Sequence, residues 1–131
     1  MTARISHLSI DCVNAYELSE WWKQVLGFVD VEEDPNGPGD EECMILSPTT
    51  GEHVLFLEVP GFDTSIPKRI HLDLRPEQRT RDEELEVLLG LGATEVADHR
   101  GIYGPGTGWV VLADPEGNQF CLLRGDHELD G

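Results

Sequence analysis

The chain has 131 residues, 39% of them hydrophobic, and a formal net charge of −17. That length and apolar content suit one domain with its own core and argue against disorder. A field of that sign repels phosphate backbones and sets nucleic acid aside as a partner, and no apolar run reaches the ~20 residues of a membrane span.

The first ten residues, "MTARISHLSI", lack the basic, apolar and small-residue zones of a signal peptide, so a cytoplasmic protein is expected. Cys12, Cys43 and Cys121 are odd in number and widely spaced, with no CxxC pair. Reduced thiols fit this better than a disulfide framework or a zinc ribbon. The negative field would attract cationic ligands, but the acids are spread through helices and loops, as expected of a solubilising surface. The densest run, "DVEEDPNGPGDEE" (30–42), contains Pro and Gly and reads as a solvated loop.

In chain order, "RISHLSID" reads as a strand. Ser6, Leu8 and Ile10 alternate with Ile5, His7, Ser9 and Asp11, which puts His7 on the less apolar face. "NAYELSEWWKQVLGF" carries Leu18, Trp21, Trp22, Val25 and Leu26 as one helical stripe; Asn14 with Glu17 can cap its start and Gly27 can end it. "FVDVEED", "CMILS" and "HVLFLEV" read as three strands, the last two joined by "PTTGE".

The pattern then recurs. "RIHLDLR" is a strand with Ile70, Leu72 and Leu74 on one face and His71, Asp73 and Arg75 on the other. "TRDEELEVLLGLG" is a helix with a Thr80–Glu83 capping box, a stripe of Leu85, Leu88 and Leu89, and Gly92 to terminate it. "ATEVADH", "GWVVLAD" and "NQFCLLR" are three strands, the last two joined by "PEG". His7 and His71 are 64 residues apart, Gly27 and Gly92 are 65 apart, and Gly51 and Gly117 are 66 apart, so the order βαβββ occurs twice in near register. We therefore expect one α+β domain over residues 1–131, made of a module at about 1–60, a linker at 60–68 ("PGFDTSIPK") and a module at about 68–126.

Two βαβββ modules, a His in the first strand of each, "ISHLSID" followed by "EWWKQVLGF", and "LADPEGNQFCLLR" before the end resemble the vicinal oxygen chelate superfamily. That group comprises glyoxalase I, extradiol dioxygenases, fosfomycin-resistance enzymes and bleomycin-binding proteins. The resemblance covers nearly the whole chain and is strongest to a glyoxalase-like branch. It implies a curved mixed sheet around a cavity, with helices on the convex side, and a homodimer. Metal-dependent members use four protein positions. His7 and His71 match the two in the first strands. Cys121 stands where the second module usually carries a carboxylate, and the 66-residue offset carries Cys121 back to Leu55, or to Leu57 if the register slips.

The resemblance thus implies His7, His71 and Cys121 as a metal set and His7 and His71 as catalytic or proton-transferring groups. Two imidazoles and a thiolate suit zinc with an open fourth position. However, Cys121 has no basic neighbour in sequence to favour a thiolate, and a lone buried cysteine usually behaves as a small hydrophobe. The reading therefore puts no bound metal ahead of zinc or another divalent ion. Leu55, Leu57, Tyr103, Trp109 and Asp73 are the expected ligand-binding residues, Tyr103 in the glycine-rich stretch "RGIYGPGTGW", which either closes over the ligand or simply connects two strands. His53, His99 and His127 lack the repeat symmetry and read as surface or loop residues. In "DPEGN", Asp114 and Pro115 are turn formers, and the turn sets the register that aims residue 121. The expected ligand is a small oxygenated metabolite handled by a glyoxalase-like lyase, isomerase or dioxygenase; the alternative is a non-catalytic protein that sequesters a cationic compound.

Overall fold

A computed structural model describes residues 2–66 and 69–129. Pro67 and Lys68 of the expected linker lie outside the described residues. The chain divides into two compact units, Met1–Asp63 and Thr64–Gly131.

In the first unit, β1 (Leu8–Cys12) is followed by α1 (Ala15–Leu26), β2 (Val29–Asp30), β3 (Glu42–Leu46) and β4 (His53–Glu58). The sheet order is β1-β4-β3-β2, with β1 parallel to β4 and the other pairs antiparallel. Asn14 caps α1 by accepting from the Glu17 amide, and Gly27 ends it at φ 70°. Leu18, Trp21 and Trp22 of the stripe are buried, as are Cys43, Ile45, Val54 and Phe56 of the strands. The Ala15 amide donates to Glu58 Oε2 at 3.0 Å, so that carboxylate holds the start of α1. The acidic stretch 30–42 is partly tied down: Asn36 donates to Asp30 and to the Met44 carbonyl, and Lys23 pairs with Asp30.

The second unit repeats the plan with β5 (Leu72–Leu74), α2 (Arg81–Gly90), β6 (Thr94–Asp98), β7 (Val110–Ala113) and β8 (Gln119–Leu122), closed by one 3-10 turn at Asp126–Glu128. Its order, β5-β8-β7-β6, has the same senses: β5 is parallel to β8, the rest antiparallel. The Thr80–Glu83 capping box forms in both directions. Leu85 and Leu88 of α2 and Val110, Leu112, Phe120 and Leu122 of the sheet are buried. The fold is thus α+β with two four-stranded mixed sheets.

Strand ends differ from the sequence reading. His7 and His71 each lie one residue before their strand, since the parallel ladders begin at Leu8–Val54 and Leu72–Phe120. "FVDVEED" shrinks to Val29–Asp30 plus a lone Val31–Asp34 bridge. No described helix is long and apolar enough to cross a membrane.

Candidate functional site

Parity decides which side chains share a face. In the second sheet Asp73 pairs with Cys121, and Cys121 pairs with Val111 on its other side. Residues two positions away along each strand lie on the same face. That face is a concavity of about 440 Å³ lined by His71, Asp73, Trp109, Val111, Gln119, Cys121 and Leu123. Every lining residue is odd-numbered, whereas Val110, Leu112, Phe120 and Leu122 fill the opposite, buried face.

The polar corner is compact. His71 Nε2 lies 3.2 Å from Asp73 Oδ1, with both side chains about half exposed. Ligand atoms of His71, Asp73 and Cys121 all lie within 4.8 Å of one another. Cys121 is only 8% exposed. Burial first, then the negative charge of Asp73 and its hydrogen bond, push the Cys121 thiol up to about 11. It is therefore a thiol, not a thiolate, at neutral pH.

The wall is aromatic and aliphatic. Trp109 packs against His99, with ring centroids 5.0 Å apart, and Tyr103 stands 6.4 Å from Trp109. His99, expected as a surface or loop residue, thus braces the wall. Tyr103 is 76% exposed and sits beside the concavity without lining it. The glycine-rich stretch is hydrogen-bonded within itself: Gly101 donates to the Thr107 carbonyl, Thr107 Oγ1 to the Gly104 carbonyl, and the Tyr103 amide to Thr107 Oγ1. The buried Arg81 guanidinium donates to the Thr107 and Gly108 carbonyls at 2.8 and 2.9 Å and to Asp82. Arg100 bridges Asp82 and Asp98. Asp98 is held down to about 2 by the side chain and backbone N–H of Arg100. The charged network anchors the stretch to α2, which favours the connecting role over a closing one.

"DPEGN" sets the register of this face. Asp114, 3% exposed, accepts from the amides of Glu116 and Asn118 and from the Asn118 side chain. Gly117 takes the left-handed conformation at φ 85°.

His7, Leu55 and Leu57 belong to the first unit. Ser9 pairs with Leu55 and Asp11 with Leu57, so these four share the face opposite Val54 and Phe56. The ladder Ser9–Leu55 corresponds to Asp73–Cys121 with offsets of 64 and 66, the spacing read from the sequence. His7 is exposed and hydrogen-bonded to Ser6 through Nδ1 at 2.9 Å. Within the second unit, the structure brings together His71, Asp73, Cys121 and Trp109. Asp73, read from sequence as a ligand-binding residue, is also a donor in the group with His71 and Cys121. Val111, Gln119 and Leu123 escaped the sequence reading, although the same odd parity in β7 and β8 marks them.

The donor set suits some metals and not others. An imidazole nitrogen, a carboxylate oxygen and a sulfur form a borderline-to-soft group, which fits zinc or cobalt better than the hard oxygen-rich sets of manganese or magnesium.

Comparisons with known proteins agree with the topology. The sequence model of the Glyoxalase-like domain family matches residues 7–123. No curated protein matches the sequence. Among solved structures, a mutant of the fosfomycin resistance protein FosX from Listeria monocytogenes, complexed with Mn(II) and a dihydroxypropylphosphonic acid, superposes with a TM-score of 0.69. It is 17% identical, over 98% of this chain and 94% of that one. A glyoxalase/bleomycin resistance protein/dioxygenase family enzyme from Burkholderia phytofirmans PsJN gives 0.67 at 23% identity, over 92% and 97%. FosX from Mesorhizobium loti gives 0.65 at 14% identity, over 94% and 92%. At these identities the likeness concerns the fold.

Proposed function

Because the chain belongs to the family of glyoxalase-like domains, we propose that it binds a small oxygenated metabolite on the open face of the second sheet, with the His71–Asp73 pair as its polar centre. One observation carries this reading. A concavity of about 440 Å³ sets an apolar wall of Trp109, Val111 and Leu123 against a corner of His71, Asp73 and Cys121. That combination of apolar lining and a few convergent polar groups is what holds and orients a small ligand.

The chemistry we assign is proton transfer next to an oxygen function, as in a lyase or isomerase. An imidazole exchanges protons readily near neutral pH, and Asp73 Oδ1, 3.2 Å from His71 Nε2, is positioned to orient the ring. A dioxygenase is the weaker reading, since non-haem iron oxygenases use two imidazoles and a carboxylate, and a thiol occupies one of the ligand positions here. His7, Leu55 and Leu57 lie in the first unit and are ligand-binding candidates through the repeat alone, and a homodimer goes with the reading. The net charge of −17 favours a second reading, capture of a cationic compound without turnover.

Thermal-shift screening separates these readings. The panel contains vicinal diols, α-hydroxy ketones and hydroxy acids on one side and polyamines and basic antibiotics on the other. The proposal expects stabilisation by neutral or acidic oxygenated compounds, lost in His71→Ala and in Trp109→Ala. Stabilisation by cations alone, abolished by moderate salt, would establish the second reading instead. A His7→Ala variant that also loses the shift assigns His7 a share in the ligand. Light scattering reads the oligomeric state.

A further inference from the structure

We propose that Arg81 is a positioning residue for the ligand wall and that Glu128 acts through it, so that the 3-10 turn at Asp126–Glu128, which lines no part of the concavity, sets where Trp109 stands. The inference rests on the reading of this face as the ligand site.

The repeat isolates what the Arg81 side chain is for. Ala15 and Arg81 are the first residues after the helix caps Asn14 and Thr80, 66 positions apart, and both are buried. A carboxylate reaches the amide of each: Glu58 Oε2 accepts from Ala15 at 3.0 Å and Glu128 Oε2 from Arg81 at 2.8 Å. The open amide of the first turn is thus satisfied alike in both units. Alanine suffices for that purpose, so the guanidinium serves another. A buried charge is costly unless its donors are used. Here Nη1 donates to the Thr107 and Gly108 carbonyls and Nε to Asp82. Those two carbonyls immediately precede Trp109, whose own carbonyl accepts from the His99 amide at 2.9 Å. Three successive residues at the base of the wall are therefore fixed. In the first unit the β2–β3 connection is tied by Asn36 and Lys23 instead.

Glu128 holds the other end. Its Oε2 also accepts from the Gly125 amide at 2.6 Å. A Cβ at Gly125 would lie 2.8 Å from the Pro76 carbonyl oxygen, so the turn is packed tightly against the approach to α2. Arg75 donates to the Arg124 carbonyl at 2.7 Å. The connection runs from Leu123 through Gly125 and Glu128 to the Arg81 amide, and through the guanidinium to Trp109. Leu123 and Trp109 are both wall residues. A ring placed before binding spares a ligand the entropy of ordering it.

The test follows the Trp109 indole in a 1H–15N spectrum of the full chain, assigned through Trp109→Phe, with no ligand added. Glu128→Ala should move that resonance by more than its linewidth and leave Trp21 and Trp22 unmoved. Glu128→Gln keeps an oxygen for both amides and should restore the wild-type position. Arg81→Met should move the resonance further, and Glu128→Ala added to Arg81→Met should change it no more, because the connection is already cut. Glu58→Ala, the same loss in the first unit, should leave Trp109 in place. If Glu128→Ala does not fold, Glu128→Asp, one methylene shorter, takes its place with a smaller shift in the same direction. An unmoved Trp109 in Arg81→Met, in Glu128→Ala or in its Asp substitute would overturn the proposal. So would a Glu128→Gln shift as large as that of Ala, a second full shift in the double variant, or an equal shift in Glu58→Ala. Because no ligand is present, failure here leaves the thermal-shift result to stand or fall separately.

Discussion

Replacing Asp114 by Ala tests whether the "DPEGN" turn fixes the face on which the site is built. The nearly buried carboxylate accepts two backbone N–H groups and the side-chain amide of Asn118. Hydrogen bonds to a charged group are worth about 1.5–3 kcal/mol each. The Asn118 amide can turn to water once the carboxylate is gone, so the two backbone donors dominate, and the expected loss is about 3 kcal/mol. For a chain of this size that is roughly a 10 °C fall in Tm, followed by circular dichroism. Asp114→Asn keeps acceptor capacity for the backbone amides but sets an amide against Asn118, and should fall between. Loosening the turn frees the β7–β8 register, in which Val111 faces Cys121. A one-residue slip would turn Cys121 away from the concavity. Asp114→Ala should therefore also lose the stabilisation by an oxygenated ligand in the fraction that remains folded. A Tm loss under about 3 °C, equivalent to about 1 kcal/mol, would refute this account of the turn.

Three further predictions concern the wall and its anchor. Gly108→Ala places a Cβ 2.0 Å from the His99 carbonyl oxygen at a φ of +87°; a loss of about 2–4 kcal/mol in urea unfolding is expected, and a change under 1 kcal/mol would contradict it. Arg81→Met strips the Thr107 and Gly108 carbonyls of their guanidinium donor; a loss of about 1–3 kcal/mol should come with altered Trp109 fluorescence, and unaltered emission would show that the anchor does not position the wall. Asp98 has a folded value of about 2, below the ordinary value near 3.9, so its contribution is fully present above about pH 4 and is lost as the pH falls toward 2. With the side chain 38% exposed the effect is small. The Tm difference between wild type and Asp98→Asn should be constant above pH 5 and vanish by about pH 2; a difference that grows on acidification would reverse the sign.

The helices were legible because their signals are local. Asn14, Gly27, Thr80 and Glu83 act within four residues of where they stand, and the structure uses each as the sequence implies. The repeat was legible for a similar reason, since offsets of 64 and 66 survive as ladder correspondences. Strand ends were not, because a strand's extent depends on pairing with residues about 46–48 positions away. His7 and His71 fall just outside their ladders. The site was half legible. Alternation alone put His71 and Asp73 together, but the approach of Asp73 to Cys121 needs the β5–β8 pairing, which no spacing announces. Arg81 was invisible as an anchor, since it reads as a polar first-turn residue until its partners, 26 and 27 positions on, come into place.

The central claim, that the open face of the second sheet is the ligand site, is tested most directly by the three tryptophan indoles. Trp21 and Trp22 are buried on α1, and Trp109 lines the concavity. In a 1H–15N spectrum with Trp109 assigned through Trp109→Phe, an oxygenated compound that stabilises the protein should shift the Trp109 indole resonance in a saturable way and leave the other two unmoved. A saturable shift of Trp21 or Trp22 with Trp109 unmoved would place the ligand elsewhere and contradict the account.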